Sequence, residues 1–527
     1  MSTRTYRDAV DCLNSLQSNA ATLEAVRASG GRLSEFAIPE MVEYLERIGY
    51  STTDLNALNV IHITGTKGKG STSAFTNSIL REAAPQWKVG LYTSPHLVAV
   101  RERIRVNGQP LSEEDFTKYF FEVWDALETN AERKLPSTTV LPGYFRFVTL
   151  MAYHAFLQMK VDATILEVGV GGMYDSTNIV PKPVVTGVTA LGIDHVAVLG
   201  NTLRDIAWQK GGIYKEGVPA LTVNQPPDGM EVLEQRAQEL KASSFTVIPP
   251  LLPGLSSVKL GLAGSHQLQN ASLATHLAHE LLAAKGIIPR ESELLSPPVV
   301  RGLQNARWPG RCQTVKDPKH PVTWYLDGAH TLESLDCCMQ WYASPGTGLT
   351  SAPETDPETE LPESGLLLSL ARRWRIPGWI VPVKPSRVLI FNCTSGRAGP
   401  SFLGAVLAKV AAQLQLHGRE TESAATFFDQ VIFCANVTYA DGGFKGDLTT
   451  KAIPESDLAE LKTQQQLASA WQELAPDFPS ERIHVLPSIE HAVKIVRTSG
   501  ATQVLVTGSL HLVGGVIEVA GLSDVAL

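Results

Sequence analysis

The sequence predicts an α/β protein made of two successive units, the first built on a mostly parallel sheet covered on both faces. Three observations carry this. Between Val60 and about Val223, apolar β-type runs alternate with helical patterns. Those runs are apolar throughout, as strands buried on both faces are. A second α/β alternation opens at Thr323, after a helical stretch over His266–Lys285. The chain of 527 residues also exceeds one ordinary core, at roughly 100–200 residues per domain. The division is expected near residue 300, giving units 1–299 and 300–527.

In order, the strands of the first unit are expected at Val60–Thr64, Val89–Tyr92, Ala163–Val168, Val184–Thr189 and Ala220–Val223. Helical periodicity covers Ser71–Glu82, Glu113–Glu128, Phe145–Gln158, Leu203–Gly211 and Glu231–Ala242. The second unit has strand patterns at Thr323–Leu326, Val388–Asn392, Val431–Ala435, Ile483–Leu486 and Val504–Thr507. Residues 343–365 are rich in Pro, Ser, Thr and acid, a composition that buries little and reads as a disordered insertion. Arg372, Arg373, Trp374, Arg375 and Trp379 follow it, and could pair with its acids or hold a partner.

Composition narrows the function classes. With 44% apolar and 19% charged residues, the chain is a folded globular protein. Its net charge of −8 has no long basic run, which argues against nucleic-acid binding. No apolar stretch reaches the ~20 residues that cross a bilayer. The six cysteines, at 12, 312, 337, 338, 393 and 434, lack metal-type C-x-x-C spacing and fit a reduced, cytoplasmic protein, with Cys337 and Cys338 on a helix. Arg4 and Arg7 leave a mitochondrial form open, although Asp8 and Asp11 weaken it.

Chemistry concentrates just after the strands, where ligands gather in such folds. Gly65-Thr66-Lys67-Gly68-Lys69-Gly70-Ser71 follows Val60–Thr64 and opens a helix. Backbone N–H groups at a glycine-rich turn and a helix start converge on an anion, and Lys69 would add a charge at the β- or γ-phosphate. The fit to G-x-x-x-x-G-K-[ST] is imperfect. Ile63 stands where the first glycine belongs, and Gly70 stands where the hydroxyl belongs, with Ser71 one place later. The run reads as a variant nucleotide site, against the alternative of a glycine-rich surface turn. Oxygen ligands for magnesium can come from three strand ends: Ser94, Glu167, and Asp194 with the neighbouring His195. A carboxylate ending an apolar strand is costly to desolvate without a function. His195 reads equally as a side chain satisfying nearby backbone, and Lys210 as a cation complementing its helix end.

Taken together, the motifs resemble the folylpolyglutamate synthases, especially the eukaryotic type, within the Mur-ligase-like group of ATP-dependent amide ligases. The resemblance runs from about Pro39 to Val516. It rests on Gly65–Thr72, Thr93-Ser94-Pro95-His96-Leu97, Arg101-Glu102-Arg103-Ile104, Glu167–Gly172 with Tyr174–Asn178, and Asp194-His195. It continues through Gly264–Gln267 with Asn270, Trp308–Arg311, Asp327–Thr331 and Thr507–Leu512.

The resemblance implies a P-loop ATPase domain joined to a smaller Rossmann-like domain, with substrates between them. It implies extension of the γ-linked glutamate tail of a folate through an acyl phosphate. It further implies catalytic work at Lys69, Lys210 and His195, with Lys210 carbamylated. Nucleotide contacts would come from Gly65–Ser71, Asn270, Arg311 and Asp327. Ser94, Glu167 and His195 would hold Mg²⁺, with a monovalent cation as an option, and Arg103, His330 and Ser509 would meet the substrates. The partners implied are small molecules (folate, L-glutamate and ATP) and the protein would act as a monomer.

Three departures stand out: Gly211 where the family more often has alanine, Met173 where many bacterial members have arginine, and Ala398 where F-N-x-T-x-x-R-D ends in an acid. They keep two other readings open: a paralogous ligase for a different carboxylic acid, and a nucleotide-binding protein without turnover.

Overall fold

The computed structural model describes residues 4–18, 36–349, 385–393, 399–419, 421–448 and 460–527. Residues 350–365 of the acid-rich stretch, Arg372–Arg375, Trp379, and residues 394–398 with Ala398 lie outside the described residues.

Two sheets organise the chain. The first contains β1 (Val60–Thr64), β2 (Val89–Tyr92), β3 (Ile104–Val106), β4 (Gln109–Pro110), β5 (Ala163–Glu167), β6 (Val185–Val188), β7 (Pro219–Val223) and β8 (Ser244–Ile248). Their spatial order is β4-β3-β2-β5-β1-β6-β7-β8. The second contains β9 (Gln313–Lys316), β10 (Val322–Leu326), β11 (Ser386–Phe391), β12 (Gln430–Cys434), β13 (Ile483–Leu486) and β14 (Thr502–Thr507). Their order is β13-β12-β11-β14-β10-β9. All pairings are parallel except β2–β3, β3–β4 and β9–β10.

The expected α/β class and parallel core hold, and each expected strand is present within a residue or two of its expected ends. The differences have local causes. The β3–β4 hairpin turns on Asn107 (φ 51°) and Gly108 (φ 81°), an Asn-Gly pair of the kind that two-residue hairpins require. Its strands are too short to show a period. The helix expected over Glu231–Ala242 runs Pro227–Glu239 instead. Pro227 starts it because proline has no N–H to leave unpaired in a first turn.

Why the first sheet positions a site follows from its register. β1 lies at the centre, every residue buried, between β5 and β6. Ile63 pairs with Glu167, Thr64 with Val188, and Tyr92 with Leu166. The carboxyl ends of β2, β5, β1 and β6 therefore finish at one level. In the second sheet, Leu326 pairs with Val506 and Phe391 with Thr507, aligning the ends of β10, β14 and β11. One face of the first sheet packs the helices Lys69–Ala83, Gln267–Ala284 and Pro297–Asn305 through Ile61, Ile63, Phe75, Leu277 and Leu303. The other packs Tyr6–Ser15, Glu113–Thr129 and Tyr144–Met159 through Val60, Tyr92, Phe116 and Phe147. Leu97 and Val98, from the loop after β2, are buried in the core of the second sheet, with Trp324, Val388 and Val513.

His62 sits mid-strand in β1, fully buried, its Nε2 2.9 Å from Thr177 Oγ1. Burial, and then the charge of Lys215, push its imidazole down to about 3. The unfolded chain thus binds a proton between roughly pH 6.5 and 3 that the folded chain refuses, so acid costs stability there. His62→Gln is expected to flatten the fall in unfolding free energy through that window by about 1.4 kcal/mol per pH unit. Urea midpoints of both proteins at stepped pH check this, and parallel curves would refute it.

Candidate active site

A cavity of about 320 Å³ lies where the strand ends of the two sheets face each other. Gly65–Ser71, Ser94, Glu167, His195, Lys210, Asn270, Arg311, Asp327 and His330 all line it. Arg103 and Ser509 do not. Arg103 is buried one layer back, its guanidinium over the Tyr144 ring and its Nε–H on His96 Nδ1 at 3.0 Å. Ser509 is buried, and its Oγ accepts from Asn436 Nδ2 at 3.3 Å. Beside the main cavity, a chamber of about 60 Å³ is bounded by Ser94, His96, Glu102, Arg105, Trp308 and Arg311.

The glycine-rich turn is built by its neighbours. The N–H groups of Thr66 and Lys67 both donate to the Ala190 carbonyl, and Thr66 Oγ1 donates to Gly192 O at 3.0 Å. Gly68 precedes the helix with φ 89°, and a Cβ there would stand 2.3 Å from Asn270 Oδ1. Gly70 replaces the usual hydroxyl because Trp308 covers it, with the indole Nε1 2.8 Å from where a Cβ would be. Ser71 Oγ, one place later, accepts from Gln267 Nε2 at 3.2 Å, and Gln267 Oε1 accepts from Asn270 Nδ2 at 2.9 Å.

Two lysines meet at the end of β1. Lys69 Nζ donates to Gly65 O at 2.9 Å, and Lys210 Nζ donates to the same carbonyl at 2.8 Å. Burial, and then the charge of Lys69, push Lys210 well below the ordinary lysine range. The helix carrying it ends at Gly211, where a Cβ would meet Arg236 Cβ at 2.9 Å. Glycine therefore lets the Pro227–Glu239 helix pack close. Met173 lies against Gly212, whose Cβ would fall 2.5 Å from that of Met173.

Glu167 ends β5 fully buried. Burial pushes its carboxyl up to about 7 against the pull of Lys69, Arg311 and the Ser94 N–H, and its Oε2 has no hydrogen-bond partner. His195 is exposed at the cavity mouth with φ 52°, and its N–H donates to Asp194 Oδ1 at 2.8 Å. A buried carboxylate oxygen left unpaired, in a cavity that Ser94 and His195 also line, fits a Mg²⁺ ion that keeps waters and phosphate oxygens for its other positions. Among the described residues no group of three His, Cys, Asp or Glu side chains forms a denser metal cluster.

Across the cavity, Asp327 holds a turn rather than projecting freely. Its Oδ2 accepts from Cys312 N–H at 2.7 Å and its Oδ1 from Ala329 N–H at 2.9 Å, which fixes the segment presenting Arg311. His330 Nδ1 lies 2.8 Å from Gly328 O. Sequence reasoning did not single out the bridge between the sheets. Lys67 Nζ donates to Thr331 Oγ1 at 2.8 Å and lies 3.9 Å from Asp194. Nor did it find Trp308 as the cover of Gly70, although Trp308–Arg311 was among the recognised motifs.

No family model matches the chain. Folylpolyglutamate synthase of Saccharomyces cerevisiae (strain ATCC 204508 / S288c) is 42% identical over 535 aligned residues, covering 99% of this chain and 88% of that protein. The chain belongs to the folylpolyglutamate synthase family. Solved bacterial folylpolyglutamate synthases share the fold. One is the Mycobacterium tuberculosis enzyme complexed with ADP, at TM-score 0.65 and 21% identity, covering 95% of this chain and 98% of that one. Another is the Thermotoga maritima enzyme, at TM-score 0.59 and 23% identity, covering 93% and 94%.

For this folylpolyglutamate synthase family member, the tight seat of Gly68 gives a direct test. Gly68→Ala adds a left-handed strain of about 1–2 kcal/mol and a collision with Asn270. It is expected to weaken ADP binding tenfold or more by calorimetric titration. Unchanged affinity would show that the turn does not hold the nucleotide.

Proposed function

We propose that this chain ligates L-glutamate to the γ-carboxylate of a folate poly-γ-glutamate, using ATP and passing through an acyl phosphate. The observation that carries the reading is the convergence on one cavity of a phosphate-type loop, an unpaired buried carboxylate oxygen and Arg311 from the facing side. Family membership over 99% of the chain supports the same reaction.

In this reading the amides of Gly68–Ser71 at the helix start and the Lys69 ammonium bind the ATP phosphates, and Asn270 and Arg311 orient the nucleotide from the far side. Ser94, Glu167 and His195 would hold Mg²⁺, which when bound supplies charge neutralisation at the phosphate oxygens. Asp327 keeps Arg311 aimed into the cavity. The folate γ-carboxylate attacks the γ-phosphorus, ADP leaves, and the acyl phosphate forms. The amine of free glutamate then attacks the acyl carbon, and phosphate leaves from the tetrahedral intermediate. Arg311 and Lys69 stabilise the charge that develops on transfer. His330 is assigned to the incoming glutamate. Arg103 and Ser509 act from behind the cavity wall rather than in it.

Lys210 is assigned as a carbamate. A neutral amine is the nucleophile that captures CO₂, and burial beside Lys69 favours the neutral form. Carbamylation would exchange a buried cation next to Lys69 for an anion that pairs with it.

The proposal extends to a division of the chain near residue 300, supported by β1–β8 ending at Ile248 and β9–β14 starting at Gln313. It extends also to a cytoplasmic monomer handling only small molecules. Six unbridged cysteines speak for a reducing compartment.

The decisive test is mass spectrometry of tetrahydrofolate incubated with purified protein, Mg-ATP and L-glutamate, each omitted in turn. Folates growing by successive glutamyl units only in the full mixture are expected, and Lys69→Ala should abolish that growth. ATP hydrolysis without folate extension would instead favour a ligase for another carboxylic acid. Lys210→Ala should lose at least a hundredfold in rate and regain part of it with added formate or acetate. Full activity, or loss without rescue, would remove the carbamate.

A further inference from the structure

The loop between β2 and Glu102 carries Ser94 at one end and is fastened to the second sheet's side at the other. Glu102 pins its middle, the carboxylate accepting the N–H groups of Leu97 (3.1 Å), Val98 (2.9 Å) and Ala99 (2.6 Å). Leu97 O packs onto the helix Leu510–Val519 so closely that a Cβ on Gly514 would lie 1.7 Å from it. Two further attachments converge on one residue 347 positions away, Asp447, which is buried in the short turn Gly446–Leu448. Its Oδ1 accepts from Val100 N–H at 2.7 Å and from Tyr6 Oη at 2.5 Å. Its carbonyl oxygen lies 2.7 Å from His96 Nε2.

The chemistry of that last contact fixes a tautomer. A carbonyl only accepts, so Nε2 of His96 carries the proton and Nδ1 is left as the acceptor. Nδ1 indeed faces the Nε–H of Arg103, at 3.0 Å. The other tautomer is disfavoured twice, since it would set Nδ1–H against an arginine donor and a bare Nε2 against a carbonyl. His96 and Ser94 both bound the 60 Å³ chamber that opens beside the phosphate loop. A shift of the Asp447 turn therefore moves the Val100 amide and the His96 ring, and with them Ser94, while Gly65–Ser71 is held separately by Ala190 and Gly192.

We propose that Asp447 is a positioning residue for the carboxylate substrate. Through the Val100 amide and the His96 ring it sets the placement of Ser94 and Arg103, separately from the phosphate loop. The proposal rests on the ligase reading above, in which Ser94 faces the reacting carboxylate through Mg²⁺ and Arg103 supports the wall behind it. Asp447→Ala removes the carboxylate but keeps the carbonyl. His96→Asn keeps an acceptor matching Nδ1 for Arg103 and gives up the bond to the turn. His96→Gln keeps a donor matching Nε2 and gives up the acceptor. Tyr6→Phe removes only the outer phenol.

With the purified full chain, Asp447→Ala is expected to raise KM for tetrahydrofolate tenfold or more and to lower kcat. ADP affinity by calorimetry without Mg²⁺, which reads the phosphate loop alone, should stay within twofold. His96→Asn should follow Asp447→Ala, His96→Gln should raise KM by less, and Tyr6→Phe should change it less than threefold. Hydrogen exchange of the Val100 amide should quicken in Asp447→Ala with the phosphate-loop amides unchanged. If Asp447→Ala does not fold, His96→Asn carries the same comparison. KM and kcat unchanged in a folded variant, or a loss shared equally by ADP affinity, would overturn the proposal. A wild-type protein that extends no folate would sink the ligase reading instead, and unchanged exchange at Val100 would then sink the latch on its own.

Discussion

One carbonyl oxygen at the end of the central strand, that of Gly65, receives two ammonium groups. Much of the cleft is arranged around that crowding. A carbonyl has two lone pairs and can accept both donors, but two cations beside each other in a buried site repel. The structure answers with a deep seat for Lys210, which disfavours its charged form, and with Glu167, whose burial is opposed by the charges of Lys69 and Arg311. The register of β1 with β5 and β6 makes this inevitable, since it sets Gly65, Glu167 and the residues after Val188 at one level. A displacement of one residue in β1 would separate the phosphate loop from its carboxylate.

Glycines around the site serve contact more than freedom. Gly70 is where Trp308 comes down on the phosphate loop, and Gly211 is where a neighbouring helix comes down on the lysine-bearing one. The unusual spacing of the loop has the same origin. The hydroxyl is delayed to Ser71 because the side-chain space after Lys69 is occupied by an indole from the chain's middle.

Much of this was legible in the sequence, for a physical reason. Buried parallel strands are continuous apolar runs whose carboxyl ends open onto the cleft in such folds, so Lys69, Ser94, Glu167, His195 and Lys210, which line one cavity, could be gathered from the sequence. What could not be gathered were contacts whose partners lie far along the chain and carry no pattern of their own. Lys67 with Thr331, Trp308 over Gly70, and Asp447 with Val100 each join segments separated by 200 residues or more. Asp327 was found as a site residue, yet its carboxylate is taken up by backbone amides, a role that residue type alone does not reveal. The Asn107-Gly108 hairpin, by contrast, was readable and went unread, because strands of three and two residues give too little alternation to notice.

Leu97 and Val98 belong to the first sheet's chain but to the second sheet's core. Burying such side chains is worth about 1.5–3 kcal/mol each, and that stability exists only while both sheets are folded. The two sheets are therefore coupled thermodynamically, not tethered beads. The coupling also bears on descent. A recombination event that joined the front of one family member to the back of another would break no single fold, yet it would offer two apolar side chains to a pocket shaped for others. Exchange of the halves is thereby constrained by a seam of two apolar side chains at the edge of the cleft, and the two halves are compelled to change together.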